Sequence, residues 1–128
     1  MSVLDGFTAF NFDEGVPYVS VTRNGVTFNK AVVMKLNYPE NVLLLISDAE
    51  KKIAIQVCDE ETPNSTSFYK ERNNSKIISV RWNGKDLLNT ISDIMGWNLE
   101  KESYRITGSL LKEEHAMLFD LNTANLLK

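Results

Sequence analysis

The chain has 128 residues, 43% of them hydrophobic and 24% charged, with a formal net charge of −3 at pH 7. That length suits one domain whose core needs no covalent staples. The single cysteine, Cys58, and the single histidine, His115, exclude a disulfide framework, a cysteine-based zinc site and a multi-histidine metal centre.

Residues 1–16 hold Phe7, Phe10 and Phe12 and read as a short strand or an arm packed on the body. Asp5 stands where a signal peptide would be basic and apolar, and no apolar run approaches the roughly 18 residues of a membrane helix. The expectation is a cytoplasmic protein without a membrane partner. Pro17 then opens a strand in which Val19 and Val21 alternate with Ser20 and Thr22, and Asn24-Gly25 marks a turn.

Asn29 is a candidate helix N-cap, and Phe28 and Val33 have the spacing of a hydrophobic staple across it. A short helix is predicted to about Asn37, stopped by Pro39. Val42 to Ile46 is wholly apolar and predicts a strand buried on both faces or lining a barrel. Ile53, Ile55 and Val57 alternate in a partner strand. Residues 17–58 therefore read strand, helix, strand, strand.

Residues 59–76 are polar and read as a join between two units, with Phe68 and Tyr69 docking on the body. Beyond it the pattern returns. Ile78 and Val80 repeat Val19 and Val21, Asn83-Gly84 repeats Asn24-Gly25, and Leu87, Ile91, Met95 and Trp97 meet Phe28, Val32, Leu36 and Tyr38 at the same offset. Leu87, Leu88, Ile91, Ile94 and Met95 form a helical stripe that ends at Gly96. Tyr104 and Ile106 predict the middle strand. Gly108 to His115 reads as a long hairpin loop, and Met117, Phe119 and Leu121 repeat Ile53, Ile55 and Val57. The expected fold is a single compact domain over 1–128, mainly β with two short helices, from tandem strand-helix-strand-strand units at 17–58 and 77–122.

Gly25-Val26-Thr27-Phe28-Asn29-Lys30, with Leu36 and the hairpin from Val42 to Val57, resembles the AbrB/MazE-type swapped-hairpin family. Members run Gly-x-Val-Thr-Ile-Pro-Lys, then a short helix ending in Leu-Gly, then two strands. The resemblance covers about 40 residues of the first unit and is fainter in the second. It implies that two units interlock into one small barrel, here within one chain as in the related MraZ-type proteins. It also implies DNA binding through basic side chains on one barrel face. The family's proline falls at Asn29, its arginines fall at Gly25 and Val33, and its Gly-Asp pair is missing around Glu40-Asn41. Lys30 alone matches a basic position.

Residues 21–57 hold five basic side chains against three acidic, a balance compatible with a polyanion. Arg23, Lys30, Lys35, Arg81 and Lys85 are the candidate nucleic-acid contacts. Trp82 is a candidate protein interface, or else a packed core residue. Glu60/Glu61 and Glu113/Glu114 lie in polar turns where carboxylates stay solvated. His115 has no partner in sequence, and Cys58 reads as a small buried residue rather than a nucleophile. No catalysis, cofactor or metal is expected. The leading function is a non-enzymatic binding module, an AbrB-like DNA-binding regulator. The rival is a protein-interaction or structural module of a mobile element, with a protein partner or a homodimer and no nucleic acid.

Overall fold

A computed structural model describes residues 3–8, 15–71 and 78–127. Its chain order is β1 (Tyr18–Thr22), β2 (Gly25–Phe28), α1 (Lys30–Lys35), β3 (Asn41–Ser47), β4 (Lys52–Val57), β5 (Thr66–Ser67), β6 (Val80–Trp82), α2 (Lys85–Met95), β7 (Ser103–Leu111), β8 (Ala116–Asp120), a 3-10 turn at Leu121–Thr123, and β9 (Asn125–Leu127). The protein is mainly β, as the alternating segments predict. One sheet runs in the order β5-β3-β4-β8-β7-β1-β2-β6, with β9 also on β7. It curls until its two ends meet: the Trp82 indole N–H donates to the Ser67 carbonyl at 3.2 Å.

Inside the curl lie Val19, Val21, Val26, Phe28, Ile53, Ile55, Ile106, Met117 and Phe119, all essentially sealed from water. Each is worth about 1.5–3 kcal/mol of transfer free energy. Period-2 alternation explains the choice. Val19 and Val21 point inward from β1 while Ser20 and Thr22 point away, and Ile53 and Ile55 meet Phe119 and Met117 across the β4–β8 ladder.

Four details depart from the sequence reading. First, Asn24-Gly25 does not lead to the helix but closes a hairpin onto β2, in which Val26 and Phe28 alternate with Thr27. Gly25 has φ +146°, and a Cβ there would sit 2.6 Å from the Trp82 carbonyl oxygen, so no other residue lets β6 approach β2 so closely. Second, β3 is not buried on both faces. Val42 is buried, but Leu45 and Ile46 are 44% and 40% exposed, because the β3–β4 hairpin runs out past the core.

Third, Gly108 is strand, not loop. A Cβ at Gly108 would lie 2.8 Å from the Phe119 ring and 2.9 Å from Met117, so the missing side chain is what lets two large core residues of β8 fit against β7. The turn itself is confined to residues 112–115. Fourth, Phe7 is 74% exposed rather than packed. Phe10 and Phe12 lie outside the described residues.

The segment 59–71 joins the body at several points. β5 pairs with the start of β3, and the amides of Phe68 and Tyr69 donate to the carbonyls of Glu40 and Pro39. Phe68 is buried, with its ring edge-on to Phe28 at 5.4 Å and to Trp82 at 5.8 Å, and Tyr69 packs edge-on to Tyr38. Residues 72–76 of the predicted join lie outside the described residues.

Asn29 caps α1 as its position predicts, and it does more. Its Oδ1 accepts from the amides of Val32 (3.3 Å) and Tyr18 (3.0 Å), and its Nδ2 donates to the Val16 carbonyl (2.8 Å). One side chain thus starts a helix and pins the entry to β1. α2 ends at Gly96 in the left-handed region (φ +68°), the stop that its glycine predicts.

Candidate functional site

The β1–β2 turn, the end of β6 and the start of α2 meet at one end of the sheet. Thr22 Oγ1 accepts from the Asn24 amide at 3.1 Å, which fixes the turn and projects Arg23 into solvent. Asn83 and Gly84 carry the chain from β6 into α2, whose first residue is Lys85. Arg23 and Lys85 line one cleft of about 640 Å³ together with Asn89, Trp97 and Glu100. Trp97 is stacked on Tyr104, ring centroids 3.9 Å apart and planes 10° from parallel. The N-cap position of α2 is Gly84, which has no side chain to accept from the first-turn amides. The helix dipole and Lys85 therefore act at this end in the same electrostatic sense, opposed by Asp86 and Glu100.

Arg81 stands on β6 beside Gly25 of the first turn and does not line this cleft. An added Cβ on Gly25 would come within 3.3 Å of the Arg81 Cγ, and the Arg81 Nε–H donates to Thr27 Oγ1 at 3.2 Å. It borders a neighbouring cleft of about 400 Å³ with Lys70. Of the five candidate cations, Arg23, Arg81 and Lys85 thus gather around β6. The other two do not join them. Lys30 opens α1 beyond the opposite end of β2, and Lys35 closes α1 half-buried in a third cleft with Lys112 and His115.

Trp82 is half-buried. Its ring is edge-on to Phe28 at 5.0 Å and its N–H is spent on Ser67. It holds the two ends of the sheet together. Cys58 is a half-buried free thiol, and His115 is exposed at φ +52° in the β7–β8 turn. Among the described residues no three His, Cys, Asp or Glu side chains gather where they could hold a metal ion. No helix among them is long and apolar enough to cross a membrane.

Among the described residues, the one displaced acidity belongs to Tyr104. Loss of hydration raises its phenol above 10.0, and the Glu102 carboxylate, which accepts the Tyr104 hydroxyl at 3.2 Å, adds to the rise. Trp97, Tyr104, Asn89 and Lys70 are further neighbours of the basic residues. Strand pairing and helix placement bring them there, and nothing in the spacing along the chain announces it.

Compared with models of known families, with curated proteins and with solved structures, the chain finds no match in any of the three.

Proposed function

We propose that this protein is a non-enzymatic binding module that holds the phosphate backbone of duplex DNA at the Arg23–Arg81–Lys85 end of its sheet. The observation that carries the reading is the gathering of these three exposed cations, from a turn, a strand and a helix start, around β6. A net charge of −3 gives no general attraction to nucleic acid, so binding must come from this local cluster. The same reading takes the fold as a tandem swapped-hairpin barrel of the AbrB kind. It is supported by strand exchange between the halves: β1 pairs with β7, and β4 with β8.

The test is a mobility-shift titration with duplex DNA over a range of salt. The wild type is expected to bind at low salt. The log-log salt slope is expected to fall by about 0.9 for each phosphate contact removed in Arg23→Ala, Arg81→Ala and Lys85→Ala. Lys30→Ala, outside the cluster, is expected to leave the slope unchanged. Absence of any complex at low salt ends the DNA reading. A second reading, a protein-interaction module, is favoured by the exposed leucine and isoleucine of β3.

A further inference from the structure

β3 is seven residues long, but β5 covers its outer edge only at Asn41 and Val42. Among the described residues, no strand lies beside Leu43 to Ser47 on that side. The direction of the free backbone groups is set by two bonds. The Asn41 carbonyl accepts from Cys58, so Asn41 faces β4, and the Glu40 carbonyl accepts from Phe68, so Glu40 faces outward. Alternation along a strand then turns the N–H and C=O of Leu43, Leu45 and Ser47 toward β4, and those of Val42, Leu44 and Ile46 outward. Val42 is paired with Thr66; among the described residues nothing pairs with the outward groups of Leu44 and Ile46.

Natural edge strands are blunted by charges, proline or bulges. This one has none: Asn41–Ser47 reads Asn-Val-Leu-Leu-Leu-Ile-Ser and pairs with β4 residue for residue. Its exposed side chains are apolar, Leu45 and Ile46, and on the outer face Leu45 continues into Ala54 of β4 and Leu118 of β8. An occupant must offer an extended backbone and apolar side chains in the same period.

We infer that the occupant is β3 of a second copy of this chain, paired antiparallel about a twofold axis at Leu45. The register selects itself. Centred on Leu45, Leu44 faces the second copy's Ile46 and Ile46 its Leu44, each pair exchanging both backbone bonds. Centred on Leu44, Ile46 would face the second copy's Val42, whose backbone is already committed to Thr66. Centred on Ile46, Leu44 would face Asp48, past the end of the strand. Charge agrees with the antiparallel sense. Glu40, Asp59, Glu60 and Glu61 cluster at the start of β3, and a parallel pairing would set that cluster against itself. The antiparallel pairing sets it beside the other copy's hairpin tip, where Lys51 and Lys52 balance Asp48 and Glu50. The dimer is independent of the DNA reading, because it uses no residue of the basic cluster.

Sedimentation equilibrium of the full chain, from micromolar to submillimolar concentration, is expected to show a reversible monomer–dimer equilibrium. Leu45→Lys, a change at an exposed outer-face position, sets like charges together on the axis and is expected to weaken the dimer about a hundredfold. Leu45→Cys in a Cys58→Ser background is expected to crosslink to a covalent dimer on mild oxidation. Paired residues at a site of this kind stand about 4.5 Å apart at Cα, within reach of a disulfide. Thr107→Cys in the same background, away from β3, is expected to stay monomeric on the same gel. A chain that remains monomeric at every concentration overturns the proposal. So does a dimer that survives Leu45→Lys and fails to crosslink through position 45.

Discussion

Asn24-Gly25 closes a hairpin and passes the chain to β2, whereas Asn83-Gly84 ends β6 and passes it straight into α2. The same two letters serve different ends because the residues after them differ, and so does the backbone that approaches them. After Gly25 the apolar residues Val26 and Phe28 keep a period of two; after Gly84 the stripe from Leu87 to Met95 has the period of a helix. Gly25 is pressed by the β6 backbone at an angle closed to L side chains, while Gly84 has open space where its Cβ would be. A turn dipeptide announces a change of direction, but the next element decides what the chain turns into.

Substitution separates the two glycines most sharply. Gly25→Ala must relieve both a positive φ and a backbone clash, and is expected to destabilise the protein by about 2–4 kcal/mol in denaturant unfolding. Gly84→Ala meets no neighbour and is expected to cost under about 1 kcal/mol. Equal losses would mean that β6 does not press on the first turn. Gly108→Ala, which drives a methyl toward Phe119 and Met117, is expected to cost about 1–3 kcal/mol, read from the same transition.

The two helix starts extend the contrast. Asn29→Ala removes the cap of α1 together with its hold on Tyr18 and Val16, and should lower stability by about 1–2 kcal/mol. Gly84→Ser supplies α2 with the acceptor it lacks and should raise stability by a few tenths of a kcal/mol. A gain at Gly84 with no loss at Asn29 would break the assignment of caps.

The smallest effect is in alkali. Tyr104 holds its proton to higher pH in the folded chain than at the unfolded value of 10.0. Between the two values the unfolded chain binds fewer protons, so stability is expected to fall as pH rises through that window. Ultraviolet titration should show a late-ionising phenol that Tyr104→Phe removes.

Much of this architecture is legible in the residues themselves. Val19, Val21, Ile53 and Ile55 declare their strands by alternation, Asn29 its cap by the staple around it, and Gly96 its stop. The misreadings share a cause. Val26-Thr27-Phe28 is too short a period to stand out beside a helix signal, and it becomes a strand because β1 and β6 flank it. Gly108 looks like a loop residue until Phe119 is known to lie against it. Leu45 and Ile46 look like core because apolar runs do not reveal where a hairpin leaves the body. The basic residues were all visible as letters, but only folding sorts Arg23, Arg81 and Lys85 from Lys30 and Lys35.

β7 serves three partners along its length. Its first half lies between β1 and β9, and its second half pairs with β8. Gly108 faces Phe119 while Arg105 faces Asn125, so the opposing chain takes up its extra residues at the 3-10 turn Leu121–Thr123 and then returns to the same strand. No cut through the ladder frees one half of the molecule while leaving the other whole. Amide protons at the centre of β7 should therefore exchange with solvent only when everything opens at once, which makes this strand the clock by which the lifetime of the native state can be read.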